Sequence, residues 1–349
     1  MEEIKTFTEL TETQETTQSK GLDNRYLINA RRFDNDEFYT QEEDVKNEVE
    51  KYKDKFEGKT VYCPCDRPDS AFVRYFIKNF KELKLKAFFF SCYDKFGNND
   101  HGAYILYDAD KEWFLEMGGG VDITTEVFDE MLEKCDIVVT NPPFSLFIPF
   151  LDKIIKHKKE YLIIGQQNTI SCKSVFEHIM AEETYIDYGF KGIAGWFKVP
   201  ESFVFNTKNT NNWNEKERLM RVSGVIWYTS FEIYNNRPFI DNPKARYYNE
   251  DGTPNEEKYK KYIHFREISG VDEDCINVGK ISDIPNDYYG IMGVPITIMG
   301  KYNPKQFEII QLDHYGPLGN QDNIILVDGK EKMEYRRIYI RRKPKAEVA

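Results

Sequence analysis

Between residues 59 and 183, short apolar runs alternate with segments whose apolar residues recur every three or four positions. The runs are KTVYCPC (59–65), KAFFFSCY (86–93), DIVVTNPPF (136–144) and EYLIIGQQ (160–167). Between them, DSAFVRYFIKNFKEL carries Phe72, Phe76, Phe80 and Leu83 at helical spacing. TTEVFDEMLEKC, with Thr124 or Thr125 as its cap, turns Phe128, Met131 and Leu132 inward. SLFIPFLDKIIKHK gathers Phe147, Phe150, Leu151, Ile154 and Ile155 on one side, and KSVFEHIMAEE makes a further helix. Continuously apolar strands separated by amphipathic helices predict an α/β fold, with a parallel sheet covered by helices on both faces. GAYILYD and KEWFLEMG form an antiparallel hairpin around Ala109-Asp110 in this reading. In such sheets ligands bind beyond the carboxyl ends of the strands. Cys65-Asp66, Tyr93-Asp94 and Asn141-Pro142 all fall at strand ends, so three polar features are expected along one edge.

Outside this alternation the texture changes. Residues 1–23 are rich in Thr, Glu and Gln and are read as a mobile tail. The strand-like GVIWYTSFEI (224–233) completes the sheet, which gives a first domain over 24–235. The turn-rich DNPKARYYNEDGTPNEE and the later GVPITIM and YRRIYIRRK place an irregular module over 236–349. No apolar run approaches the roughly 20 residues that span a bilayer, so no membrane partner is expected. The N-terminus lacks a basic-then-apolar secretory pattern. Six cysteines suit a reducing cytoplasm. A zinc site from Cys63, Cys65, Cys92 and Cys135 is disfavoured, because no C-x2-C pair exists and the histidines lack ligand spacing. No metal is expected.

The run DIVVT ends in Asn141-Pro142-Pro143-Phe144. The prolines end the strand, since neither donates to a ladder and each fixes its own φ. That leaves an amide, a rigid backbone and a ring to account for. An exocyclic amino group on a heteroaromatic ring is a poor nucleophile, because its lone pair is delocalised. Two acceptors gripping its N–H bonds draw the nitrogen toward tetrahedral geometry, and the Asn141 side-chain oxygen and the Pro142 carbonyl are suited to be those acceptors. Pro143 holds the loop rigid, as preorganised electrostatics requires, and Phe144 stacks on a flat ring, the way an extruded base is held.

With these residues in view, the segment resembles the [DNS]PP[YFW] hallmark of S-adenosylmethionine-dependent methyltransferases acting on exocyclic amino groups. GKTVYCPCDRPDSAFVRYFIKNF, WYTSFE and IPNDYYGIMGVPITIMGKYNPKQFEII are similar to segments of the EcoRI adenine methyltransferase family, and the likeness runs from about Phe33 to Lys343. The resemblance implies a Rossmann-like S-adenosylmethionine methyltransferase sheet followed by a C-terminal target-recognition module. It implies transfer of a methyl group to the N6 amine of a flipped adenine in double-stranded DNA, with Asn141, Pro142, Pro143 and Phe144 as catalytic residues. Asp36-Glu37-Phe38-Tyr39-Thr40 is either an ordinary helix-entry turn or, as the resemblance implies, the segment that packs against the methionine end of the cofactor, which would give Phe38, Tyr39 and Thr40 to cofactor binding. Cys65 and Asp66 stand where the family keeps its cofactor turn, and the glycine-rich turn of the broader class is absent. Asp66 either reaches the cofactor or caps the following helix. Asp94 is a candidate for the cofactor ribose, and Asp122, after Gly118-Gly119-Gly120, either meets the cofactor adenine or is a plain loop carboxylate.

The resemblance also implies that the methyl group either protects a short site from a cognate endonuclease, in a restriction-modification setting, or marks it; a monomer in the cytoplasm is expected. Enzymes methylating exocyclic amines of RNA, and a silent DNA-binding protein on the same fold, are the alternatives. A net charge of −11 does not point to DNA, so local clusters matter. Eight Lys/Arg against two Glu lie between Lys330 and Lys345. Alternation in YRRIYIRRK sets Arg337, Tyr339 and Arg341 on one strand face, as either a phosphate-binding stripe or a charge-protected edge. Lys153 and Lys156, after NPPF, form the second candidate DNA contact.

Overall fold

A computed structural model of the chain describes residues 39–67, 69–91, 102–108, 111–118, 123–190, 194–199, 213–313 and 324–344. The tail 1–23 and the candidates Phe38, Asp94 and Asp122 lie outside the described residues. The chain divides into two compact units, residues 1–167 with 188–231 and residues 168–187 with 232–349.

In the first unit, β1 (Thr60–Cys63), β2 (Ala87–Phe90), β5 (Ile137–Thr140) and β6 (Glu160–Gln166) run parallel. On one flank lies the hairpin β3 (Gly102–Asp108) and β4 (Lys111–Gly118), as its alternating halves predict. On the other, β11 (Val225–Thr229) pairs antiparallel with β6, so the Trp227 strand does extend the sheet. The order within this unit is β4-β3-β2-β1-β5-β6-β11.

The strands are continuously apolar because helices cover both faces. Val61 sits opposite Phe88 and Tyr62 opposite Phe89, so Phe88 and Tyr62 face opposite ways. From α2 (Ala71–Asn79), Phe76 packs 5.6 Å from Phe88 and Phe72 meets Trp227 edge-on at 6.2 Å. From the other side, Phe128 of α3 (Glu126–Lys134) lies 6.2 Å from Tyr62 and 5.7 Å from Phe150 of α4 (Phe147–Lys156). Gly165 permits this approach: a Cβ there would lie 2.4 Å from the Phe147 ring. The helix α1 (Glu42–Val49) precedes β1 and buries Val45 and Val49. Among the described residues, no helix is long and apolar enough to cross a membrane.

The basic segment after NPPF is less available than its sequence suggests. Lys153 donates to the carbonyls of Ile123 and Thr125 and pairs with Asp129 at 2.9 Å, so its ammonium is already engaged within the chain. Lys156, in the last turn of α4, is exposed.

The second unit holds α5 (Lys173–Met180) and β7 (Tyr185–Asp187) with the C-terminal residues. Where the sequence reads as irregular, β12 (Cys275–Asn277), β13 (Ile291–Pro295), β17 (Arg337–Arg342) and β14 (Phe307–Leu312) form a four-stranded sheet in that order. The turn-rich connections are ordered by side-chain amides rather than by ladders. Gln306 bonds both the N–H and the carbonyl of Ile240 at 2.7 Å, and Asn242 donates to the carbonyls of Ile281 and Ile284.

The proposed stripe on β17 is corrected by this sheet. β17 is a central strand, paired on both sides by β13 and β14, so it has no free edge, and its residues are buried except for the half-buried Arg341. Tyr339 is fully buried and packs 5.7 Å from Tyr262 and 4.8 Å from Phe265. Arg337 is 4% exposed, pairs with Glu334 at 2.9 Å and donates to Asn277. Arg341 is paired with Glu273 at 2.7 Å and Glu308 at 3.7 Å. Arg337 and Lys332 are answered by Glu334 within the segment, and Arg341 by carboxylates from elsewhere in the chain.

Candidate active site

The turn after β1 takes an unusual backbone form. Cys65 has φ of 106°, a region that favours glycine, so a cysteine here holds the conformation the missing glycine would supply. The N–H groups of Cys65 and Asp66 both donate to the Ser91 carbonyl, at 3.1 and 3.0 Å, which ties the turn to the residue after β2. Asp66 is 5% exposed, and its Oδ2 accepts from the Thr140 hydroxyl at 2.6 Å. The Ser70 hydroxyl bonds the same carboxyl while its oxygen accepts from the Val73 N–H at 3.1 Å. Ser70 is therefore the helix cap, and the capping alternative for Asp66 is corrected.

Burial pushes the Asp66 carboxyl up to about 7, against the opposing pull of its two hydroxyl bonds. The folded chain therefore holds this proton more tightly than the unfolded chain does. Stability contributed by the neutral form is fully present below about pH 4 and is lost as pH rises through about 7. Asp66→Asn cannot titrate, and its amide still meets the Thr140 and Ser70 hydroxyls. Relative to wild type, the variant gains on the order of a few kcal/mol between pH 4 and pH 8. Urea unfolding of the ligand-free protein at both pH values checks this, and equal slopes for the two proteins would overturn it.

Residues Tyr39-Thr40-Gln41 are pinned to β8 (Ala194–Lys198), a strand of the three-stranded sheet it forms with β10 (Leu219–Ser223) and β9 (Trp213–Asn214). The Tyr39 N–H donates to the Lys198 carbonyl at 3.0 Å, and the reverse bond measures 2.9 Å. Gln41 donates to the Trp196 carbonyl at 2.6 Å. Held in this way, the buried Thr40 accepts a hydrogen bond from Asn141 Nδ2 at 3.3 Å. Two stretches 101 residues apart thus meet. Thr40, Asn141, Thr140 and Asp66 form one polar layer at the carboxyl ends of β1 and β5.

After Asn141 the backbone is rigid. Pro142 is buried and Pro143 is extended, with φ −53° and ψ 129°. The Pro143 carbonyl accepts from the Leu146 N–H at 2.9 Å and opens the tight turn Phe144–Leu146, on which the Phe144 ring is half-buried. Cys63 and Cys135 are buried free thiols, both pushed up by desolvation, which suits packing rather than reactivity.

The sequence reading missed Thr140 and the strand 194–198. Thr140 reads as one more strand residue, and its hydroxyl matters only once β1 lies beside β5. The alternation of GWFK around Trp196 is the one signal for β8, and it says nothing about what the strand pairs with.

The family described as "Adenine-specific methyltransferase EcoRI" matches residues 26–346. The chain is 35% identical over 342 residues to the type II methyltransferase M.EcoRI of Escherichia coli, covering 93% of this chain and 98% of that one. It is 31% identical to M.MgeORF184P of Mycoplasma genitalium, over 90% of this chain and 97% of the relative. For M.MpnI of Mycoplasma pneumoniae the identity is 32%, with 82% and 85% covered.

Proposed function

Because the chain belongs to the EcoRI family of adenine-specific methyltransferases, we propose that it moves a methyl group from S-adenosylmethionine to the exocyclic amine of an adenine extruded from duplex DNA. The observation that carries this reading is the position of Asn141. Its amide stands at the carboxyl end of a parallel strand, gripped by Thr40 and followed by two prolines and a ring. The cofactor side fits too. Among the described residues Asp66 forms no ion pair, so a buried carboxyl held only by hydroxyls stands ready for a cationic ligand. Asp66, Cys65 and Tyr39 are the residues assigned to hold it. S-adenosylmethionine, when bound, supplies a methyl group already activated on positively charged sulfur.

The Asn141 side-chain oxygen and the Pro142 carbonyl accept the two N–H bonds of the adenine amine and aim its lone pair. Because the prolines fix these acceptors beforehand, little reorganisation is needed in the transition state. Nitrogen attacks directly, so no covalent enzyme intermediate forms. Phe144 supports the flipped ring by stacking. The wider setting follows from the same reading: a short DNA site protected from a cognate endonuclease, in the cytoplasm, by a monomer.

Incubation with methyl-tritiated S-adenosylmethionine and duplex DNA, RNA or protein tests the reading. Label is expected in duplex DNA as N6-methyladenine, and label confined to RNA or protein would overturn it. Phe144 has its own test. Phe144→Trp keeps a π-face and retains activity, whereas Phe144→Ala weakens retention of the flipped base by about 1–3 kcal/mol. A 2-aminopurine at the target position brightens less with the Ala variant; equal brightening with both would remove the stacking role.

A further inference from the structure

We propose that Thr40 is a positioning residue for Asn141 rather than a cofactor contact, an inference that rests on the methyltransferase reading above. Thr40 lies in the stretch whose resemblance points to the methionine end of the cofactor, yet its hydroxyl is turned to the amide of Asn141 at 3.3 Å. The amide is planar, with Nδ2 and Oδ1 on opposite sides of the Cβ–Cγ axis. With Nδ2 on Thr40, Oδ1 points away from Thr40, and the acceptor has a defined direction.

Thr40 is itself well held. The residue before it is bonded in both directions to Lys198, and the side chain after it is bonded to the Trp196 carbonyl. Its own side chain is 8% exposed, so the hydroxyl has little room to swing. The strand Ala194–Lys198 thereby acts as a brace, and Thr40 passes its rigidity to the reacting amide. On the other side, the Thr140–Asp66 bond fixes the residue immediately before Asn141. Backbone and side chain of Asn141 are thus held from two directions.

Thr40→Val keeps the shape and removes the acceptor, while Thr40→Ser keeps the hydroxyl. The Val variant is expected to lose about tenfold in kcat at saturating S-adenosylmethionine and DNA, the scale of one lost orienting hydrogen bond. Its Kd for S-adenosylmethionine, measured by calorimetry, should stay within about twofold of wild type, and Ser should restore most of the rate. A Val variant with a raised Kd and an unchanged kcat would return Thr40 to the cofactor. Equal losses in Val and Ser would make its role one of packing, and no loss in either would remove it. Wild-type behaviour of Thr40→Val beside an inactive Asn141→Ala overturns this inference alone. A wild-type enzyme that labels no DNA overturns the reading beneath it.

Discussion

Replacing Asn141 with alanine is expected to leave S-adenosylmethionine affinity nearly intact and to reduce turnover by at least about a hundredfold, the effect of losing one preorganised acceptor. The separation of the two effects follows from the structure. Asp66 and its hydroxyl partners belong to the turn after β1 and to Thr140, and none of their bonds uses the Asn141 side chain. The bend of the chain survives as well, because Pro142, Pro143 and the Pro143–Leu146 bond set it without the amide. Truncation therefore removes an acceptor and leaves its scaffold standing. Single-turnover methylation of a short duplex reads the rate, and a titration with S-adenosylmethionine reads the affinity. A wild-type rate would show that the amine is activated by other groups.

Arg337→Ala is expected to cost about 1.5–3 kcal/mol of stability, the scale of a lost buried hydrogen bond to a charged group, because Lys332 still faces the Glu334 carboxylate at 2.8 Å. Arg337 and Glu334 are 5% and 10% exposed in their side chains. Truncation leaves the Glu334 carboxylate with Lys332 on one oxygen but without the guanidinium donor at 2.9 Å on the other, and Asn277 without the Nε–H at 3.3 Å. Against a total stability of about 5–15 kcal/mol, that is a large fraction. Urea denaturation measures it. Pairing Arg337→Met with Glu334→Gln should recover part of the loss, since the remaining partner is then neutral. A surface phosphate contact behaves otherwise: its loss leaves the unfolding midpoint in place and lowers the salt dependence of DNA binding by about one unit per contact.

The contrast shows what could be read from the residues in order. Parallel strands and their helices were legible because the relevant information is local: Phe72 and Phe76, or Phe147 and Phe150, declare a buried face by spacing alone. The β3–β4 hairpin was legible for the same reason. In YRRIYIRRK, alternation correctly separates two faces, but whether each face is covered depends on β13 and β14, which come from elsewhere in the chain. The second sheet reads as irregular in sequence because β12 has three residues, and much of its surroundings is ordered by single amides such as Gln306 and Asn242. At the candidate site, the NPPF segment and the Tyr39-Thr40 segment were each visible. Their meeting was not, since nothing in either stretch records a partner 101 residues away.

The clasp between residues 39–41 and the strand Ala194–Lys198 has a kinetic corollary. Its bonds join positions 155 to 159 residues apart, while β1 and β2 pair across fewer than thirty. Contacts of such high sequence separation close long loops and are expected to be gained late in folding, after the local strand–helix units have condensed. The chain should therefore pass through a compact state whose sheet is formed but whose Thr40–Asn141 layer is still open. Regain of far-ultraviolet circular dichroism on refolding is expected to precede regain of methylation, with the lag set by the docking of two distant segments.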